Sequence, residues 1–315
     1  MFLKLLKFVL GNSPYNVFMR NNSITVKLVG GLGNQLFIWA TAYSISKRRN
    51  LELIIDAGEC TQRGFELGVF GIEAELKPIG TPDGILPTRF PNSRSNWLKL
   101  FRIVRGKLRY FRLGKNYWER SGGFDQTIFD IPAGKVLRGY FQSYKYFQDY
   151  SKDIQNFLIS NIRPSKDYEH FLRKLKNERW VAIHVRRQDY GIAYNSFGLV
   201  GESYYKTAIE AIESRLPNIK KYVFSDDIAQ AKVLIPGCES YIGSDNLMSA
   251  AETILVMSQA DAIIGANSSF SWWAAFLMKA EDSLKVFPEP WFIDKKLNSS
   301  DLVPPSWSRI SILEG

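Results

Sequence analysis

Trp180-Val-Ala-Ile-His-Val-Arg-Arg-Gln-Asp-Tyr190 is the stretch on which the reading of this chain turns. Val181, Ile183 and Val185 alternate with Ala182, His184 and Arg186, which is the period of a β-strand. Successive side chains of a strand point to opposite faces, so His184 and Arg186 share one face and Arg187 takes the other. The strand is apolar until its carboxyl end, where His, two Arg and an Asp follow in quick succession. In open α/β sheets that end is where ligands bind. Two adjacent arginines suit a doubly charged phosphate group, through fixed charge and forked N–H donors. A surface ion pair of Arg186 or Arg187 with Asp189 is the plain alternative.

Downstream, the Gly/Tyr/Asn/Ser-rich stretch to Gly201 reads as a loop, and a helix is expected over 203–215. Lys221–Ser225 reads as the next strand, and it ends in Asp226-Asp227. A carboxylate at that position accepts both the ring N–H and the amino group of guanine, a two-point contact that adenine cannot match. One acid of such a pair also serves as the cap of the helix that follows. One cap and one ligand is the expected division. A helix over 253–260 leads to a strand over 261–265, after which Ala266-Asn267-Ser268-Ser269 turns into a helix over 270–279. A strand, a small polar turn and a helix N-terminus form an anion site, because free N–H groups and the positive dipole end point at the ligand. Asn267, Ser268 and Ser269 are therefore candidate donor-site residues, although any such helix also needs an N-cap.

Upstream, Ile24–Val29 reads as a buried strand, Gly30-Gly31-Leu32-Gly33-Asn34-Gln35 as a glycine-rich turn, 36–49 as a helix and Leu51–Asp56 as a second strand. Asp56 sits where a ribose-binding acid of an NAD site would lie. Leu36, however, falls where the third glycine of that fingerprint is needed for close helix–strand packing. Asn34 and Gln35 instead offer paired donors and acceptors at a cleft mouth, which suits sugar hydroxyls. A strand beginning at Lys135 gives way to an aromatic turn and then a helix over about 150–162, which closes at Arg163-Pro164. The expected organisation is an N-terminal extension over 1–23, one domain over 24–165 and a second over 166–315.

Composition narrows the classes further. The 315 residues carry 45% hydrophobic and 14% aromatic residues, enough for a folded protein with ordinary cores. Cys60 and Cys238 are the only cysteines, and His170 and His184 the only histidines, which excludes a disulfide framework. A reducing, cytoplasmic setting fits, and Lys4 and Lys7 interrupt the apolar opening that would otherwise resemble a signal peptide. Of the net charge of +10, +9 lies between Arg89 and Arg120, where ten basic residues face the single acid Glu119. Trp97, Phe101, Val104, Leu108 and Phe111 recur there at helical spacing beside an arginine stripe. A basic amphipathic helix over 94–112 favours an anionic membrane surface, and a solvated face on its own domain is the other reading. No Asp-x-Asp pair is present to carry a divalent ion, so no metal and no other cofactor is expected.

Five blocks in order now carry a resemblance: Gly30-Gly-Leu-Gly-Asn-Gln35, Gly139-Tyr-Phe-Gln-Ser143, His184-Val-Arg-Arg-Gln-Asp-Tyr190, Phe224-Ser-Asp-Asp227 and Asn267-Ser-Ser-Phe-Ser-Trp-Trp273. Together they resemble the bacterial α-1,2-fucosyltransferases, glycosyltransferase family 11. The resemblance implies an α/β fold of GT-B type, with two Rossmann-like domains facing across a cleft. It implies GDP-fucose bound by the C-terminal domain, inversion at the fucose anomeric carbon and no metal. His184 would then approach the guanine side, Arg186 the β-phosphate, Asp227 the guanine, and Ser268 and Ser269 the phosphates. Gly31, Gly33, Asn34 and Gln35 would line the cleft from the acceptor-side domain. The acceptor would be a galactose-terminated glycan, lipid-linked if the basic segment docks on a membrane.

On this reading Arg186 stabilises the departing diphosphate, and Asp189 is the nearest candidate for the base that takes the acceptor proton. Glu202 is a second candidate, and a very dissociative transition state needs no dedicated base. The competing classes are an NAD-dependent Rossmann oxidoreductase, another GDP-sugar transferase, a nucleic-acid-binding protein and a sugar-binding module without catalysis. Nucleic acid would use the basic segment but leaves the arginine pair, the aspartate pair and the serine turn without a purpose.

Overall fold

The computed structural model describes residues 22–60, 64–75, 116–120, 123–187, 198–243, 248–280 and 282–313. The extension over 1–21, the basic helix over 94–112 and Asp189 lie outside them. Among the described residues the chain forms two sheets, one of four strands and one of six, with every strand pair parallel.

The N-terminal sheet comprises β1 (Ser23–Lys27), β2 (Glu52–Asp56), β3 (Asn116–Trp118) and β4 (Val136–Arg138), in the order β2-β1-β4-β3. Helix α1 (Leu32–Arg49) connects β1 to β2 and is buried on every side from Gln35 through Ala42. It begins four residues earlier than the sequence suggests. Gly31 is its N-cap, so Gly33, Asn34 and Gln35 belong to its first turn and not to a loop. Helix α2 (Ser151–Asn161) falls where a helix was expected. Helix α3 (Lys166–Leu175) stands where the sequence reading placed only a polar boundary; Tyr168, Phe171, Leu172 and Leu175 recur at helical spacing and turn one apolar stripe to the core, with charged residues on the other faces.

The C-terminal sheet is built on β5 (Trp180–Val185), buried at every position. Its face alternation is the one read from the sequence. Val181, Ile183 and Val185 join the core formed with helix α4 (Glu202–Glu213), while Trp180 and Ala182 join the core on the opposite face. Around β5 run β6 (Lys220–Ser225), the short helix α5 (Ile228–Leu234), β7 (Ser240–Ile242), α6 (Ala250–Met257), β8 (Ala262–Ile264), α7 (Ser269–Leu277), β9 (Leu284–Glu289) and β10 (Ser308–Ser311). The strand order is β10-β9-β8-β5-β6-β7. Strands β7, β9 and β10 carry weak patterns and were not anticipated.

The two sheets share one hydrophobic core. Phe37 of α1 lies 4.5 Å from Trp272 and 5.4 Å from Trp273 of α7, ring centre to ring centre, and Phe147 stacks on Trp273 at 5.6 Å. Both indoles are fully buried. The Trp273 indole N–H donates to the Gly33 carbonyl at 2.9 Å, and that of Trp272 donates to the Leu302 carbonyl at 2.8 Å. Gly33 is the point of closest approach. A Cβ there would stand 2.6 Å from the Ser269 backbone, so only glycine lets α1 and α7 touch.

Candidate active site

The N-terminus of α7 follows β8, and β8 neighbours β5, so the carboxyl end of β5 opens beside the first turn of α7. Ser268 is the N-cap, its hydroxyl accepting the Phe270 N–H at 3.3 Å. The same oxygen accepts the Arg186 Nη1–H at 3.0 Å. That bond fixes a half-buried guanidinium against the positive end of a helix dipole. Such an arrangement holds positive charge where an anion is expected, and is otherwise repulsive.

His184 lies on the same face, as the strand period requires. Its ring is 5.4 Å from that of Phe270, and the residue is 7% exposed. Nδ1 is buried without a hydrogen-bond partner among the described residues. Burial, reinforced by the adjacent Arg186 charge, pushes the imidazole down to about 3. A buried polar nitrogen left unpaired next to a fixed cation is a feature that a bound ligand would satisfy.

The sign of the His184 shift yields a stability expectation. Between pH 6.5 and about 3 the unfolded chain binds a proton at this site and the folded chain does not. Its contribution is complete above pH 6.5 and is lost as the pH falls through that window. Thermal unfolding at pH 7 and pH 5 should therefore show a larger fall for the wild type than for His184→Gln. Parallel falls would mean that the folded protein protonates this ring.

Arg187 points away, to the α4 side. Its Nη2 donates to the Val200 carbonyl at 3.0 Å and its backbone N–H to Asp226 Oδ1 at 2.7 Å. The aspartate pair divides with Asp227 as the cap: its Oδ1 accepts the Gln230 N–H and its Oδ2 the Gln230 side-chain amide. The cap thus falls on the residue to which the resemblance gives the guanine. A carboxylate has about four acceptor positions, so the two uses are compatible. Asn267 is buried, and its Nδ2 bonds the Gly198 and Trp291 carbonyls at 3.1 and 3.3 Å. Its amide ties the loop before α4 to the end of β9. Glu202 is exposed at the start of α4.

Residues at the start of α1 meet the same place from the other sheet. Asn34 Oδ1 accepts the Ser269 hydroxyl at 2.8 Å and the Gln142 side-chain amide at 2.8 Å. A polar line therefore crosses the seam through Gln142, Asn34 and Ser269, next to the Ser268–Arg186 pair. Gly31 caps α1 at this seam and Gly33 packs in it. Gln35 corrects the expectation placed on it. It is fully buried, with its Nε2 on the Gly30 and Gly64 carbonyls and its Oε1 on the Glu66 N–H. Both amide hydrogens and the carbonyl of Gln35 are thus taken by backbone groups of the neighbouring loops, so its amide does not reach a sugar.

Gln142 and Tyr205 were not singled out from the sequence. Gln142 stands inside the Gly139–Ser143 block, and that block was its only signal. Tyr205 is buried on α4 and donates its hydroxyl to the His184 carbonyl at 2.9 Å, steadying the end of β5.

Two parallel α/β halves present their strand ends to one seam, with a guanidinium set at a helix N-terminus, an architecture of GT-B type. The sequence model "Glycosyl transferase family 11" matches residues 111–311, and the chain belongs to that family. The α-1,2-colitosyltransferase of Escherichia coli is 29% identical over 304 residues, which cover 91% of this chain and 98% of that one. The O-antigen biosynthesis glycosyltransferase WbnK of Escherichia coli is 28% identical over 308 residues, covering 89% and 98%. Among solved structures the chain is similar to the fucosyltransferase NodZ from Bradyrhizobium, at 12% identity and a TM-score of 0.42, covering 80% and 92%. Among the described residues no helix is long and apolar enough to cross a membrane.

Proposed function

We propose that this glycosyltransferase moves L-fucose from GDP-fucose to the 2-hydroxyl of a galactose-type acceptor, with inversion and with no metal ion. The observation that carries the reading is the pairing of Arg186 with Ser268 at the α7 N-terminus, beside the unpartnered Nδ1 of buried His184. A diphosphate leaving group builds negative charge as the glycosidic bond breaks, and a preorganised guanidinium with backbone N–H groups meets that charge without reorganising. His184 and Asp227 lie at ends of neighbouring strands, where the nucleoside would extend from the phosphates.

A GDP-release assay with GDP-fucose, GDP-mannose and GDP-linked colitose, and lactose as acceptor, tests this. Release confined to GDP-fucose supports it; preference for the colitose donor would give this chain the transfer named for its Escherichia coli relative. GDP should also raise the unfolding temperature, and protection by NAD(H) in its place would favour the oxidoreductase. The lipid-linked form of the acceptor rests on the basic segment, and sedimentation with anionic liposomes at low salt reads it directly.

For the proton acceptor, Asp189→Asn and Glu202→Gln give a sharp contrast. The variant that removes the base should lose the acidic limb of the kcat–pH profile and drop on the order of 10²-fold in turnover. If both variants keep the limb, neither carboxylate accepts the proton.

A further inference from the structure

Among the described residues two aromatic side chains stand out from the surface, Trp118 at 62% exposure and Tyr140 at 48%. Both lie at the carboxyl edge of the N-terminal sheet. Trp118 ends β3 in register with Arg138, which ends β4, and Tyr140 follows two residues later. Glu119 stands between them: its N–H donates to the Arg138 carbonyl, and its Oε2 accepts the Tyr140 and Phe141 N–H groups at 2.8 and 3.1 Å.

The turn they define is built at a cost. Gly139 has φ +153, and a Cβ on it would lie 2.4 Å from the Glu119 Cβ. Phe141 is held at φ +49 with its ring fully buried, a backbone conformation that large residues rarely adopt. Turning Phe141 inward leaves Tyr140 outward, and Gln142 then reaches Asn34 at the seam. Trp118 is also braced. The Arg138 guanidinium lies 5.1 Å from its ring centre, and Glu59 grips that guanidinium at 2.9 and 3.2 Å.

We infer that Trp118 and Tyr140 form the surface on which the acceptor's sugar ring lies, with Glu119 as the positioning residue that sets the turn between them. The inference rests on the glycosyl-transfer reading above and names the acceptor half of that site. A pyranose ring has an apolar C–H face that packs on an aromatic plane, while its hydroxyls stay at the rim for polar partners such as Gln142 and Asn34. A rigid indole with one face taken by a cation offers the other as a plate at little entropic cost. The surface suits a neutral saccharide, whose apolar C–H face is what an aromatic plate packs against. It reaches the Arg186 side of the seam through the Gln142–Asn34–Ser269 line.

Transfer kinetics with lactose, together with ligand-observed NMR of lactose on the GDP-loaded protein, test the inference. Trp118→Ala and Tyr140→Ala should each raise the lactose KM at least about fivefold, which is roughly 1 kcal/mol, the scale of one aromatic contact. The donor KM and GDP thermal protection should stay within about twofold of wild type. Trp118→Phe and Tyr140→Phe keep a ring and should recover most of the loss. Glu119→Gln retains an oxygen for the two N–H groups and should behave nearly as wild type, whereas Glu119→Ala should raise the lactose KM with kcat little changed. A lactose KM that stays put in both alanine variants overturns the inference, and so does a lactose NMR signal on the wild type that survives them. Absence of any lactose signal on the wild type overturns it equally. Loss of GDP protection with the lactose signal intact would instead remove the donor reading and leave this surface standing.

Discussion

Arg186→Ala is expected to lower turnover at least ~100-fold while the protein stays folded, the loss typical of removing one donor to a developing oxyanion. The residue is half-buried at the end of β5 and its guanidinium donates to the Ser268 hydroxyl, outside the aromatic core. Arg186→Lys should restore little. An ammonium on a flexible stem cannot hold Ser268 and also present parallel N–H donors to a diphosphate. Arg187→Ala provides the control, because that side chain bonds the Val200 carbonyl and its loss should appear in unfolding temperature before turnover. GDP release measured at saturating donor separates the two. Near-normal turnover in Arg186→Ala would move the charge stabilisation to another group.

The second large effect concerns Trp273. Trp273→Ala should lower stability by about 3–5 kcal/mol, the range for truncating a fully buried tryptophan. For a chain of this size that is a fall in Tm on the order of 10 °C. Two losses combine in it. The cavity forms among Phe37, Phe147 and Phe276, and the Gly33 carbonyl loses its indole donor. Trp273→Phe refills much of the space but leaves that carbonyl unpaired, so it should fall in between. Differential scanning calorimetry measures both, and a change below about 1 °C for the alanine variant would mean that the ring does not hold the seam.

How far the sequence reached is clearest in β5. Its alternation gave the faces of Val181, Ile183, His184 and Arg186 correctly, because a fully buried strand leaves no freedom in register. That one aspartate of the Asp226-Asp227 pair caps a helix, and the strand-turn-helix at Ala262–Leu277, were legible for a similar reason: cap chemistry is local, although which aspartate caps was not. What could not be read depended on partners far along the chain. Gly30-Gly-Leu-Gly-Asn-Gln35 has the composition of a loop, yet four of its residues are helical, since Gly33 is demanded by the backbone of Ser269. Gln35 looks available in the sequence and is consumed by Gly30, Gly64 and Glu66. Helix α3 was legible and was missed: its Ser165 cap, which accepts the Tyr168 N–H, and the stripe of Tyr168, Phe171, Leu172 and Leu175 are both local signs.

The aromatic interior common to both sheets also governs how the molecule comes apart. Phe37 and Phe147 on one side and Trp272, Trp273 and Phe276 on the other are neighbours in a single cluster. Neither half completes its own interior, so each would expose a bare aromatic wall if synthesised separately and would be prone to clump. Melting should accordingly run as one cooperative event, with calorimetric and van't Hoff enthalpies in agreement. Evolution could vary either sugar-facing rim freely, but swapping a whole half between relatives would require its wall of rings to be carried along.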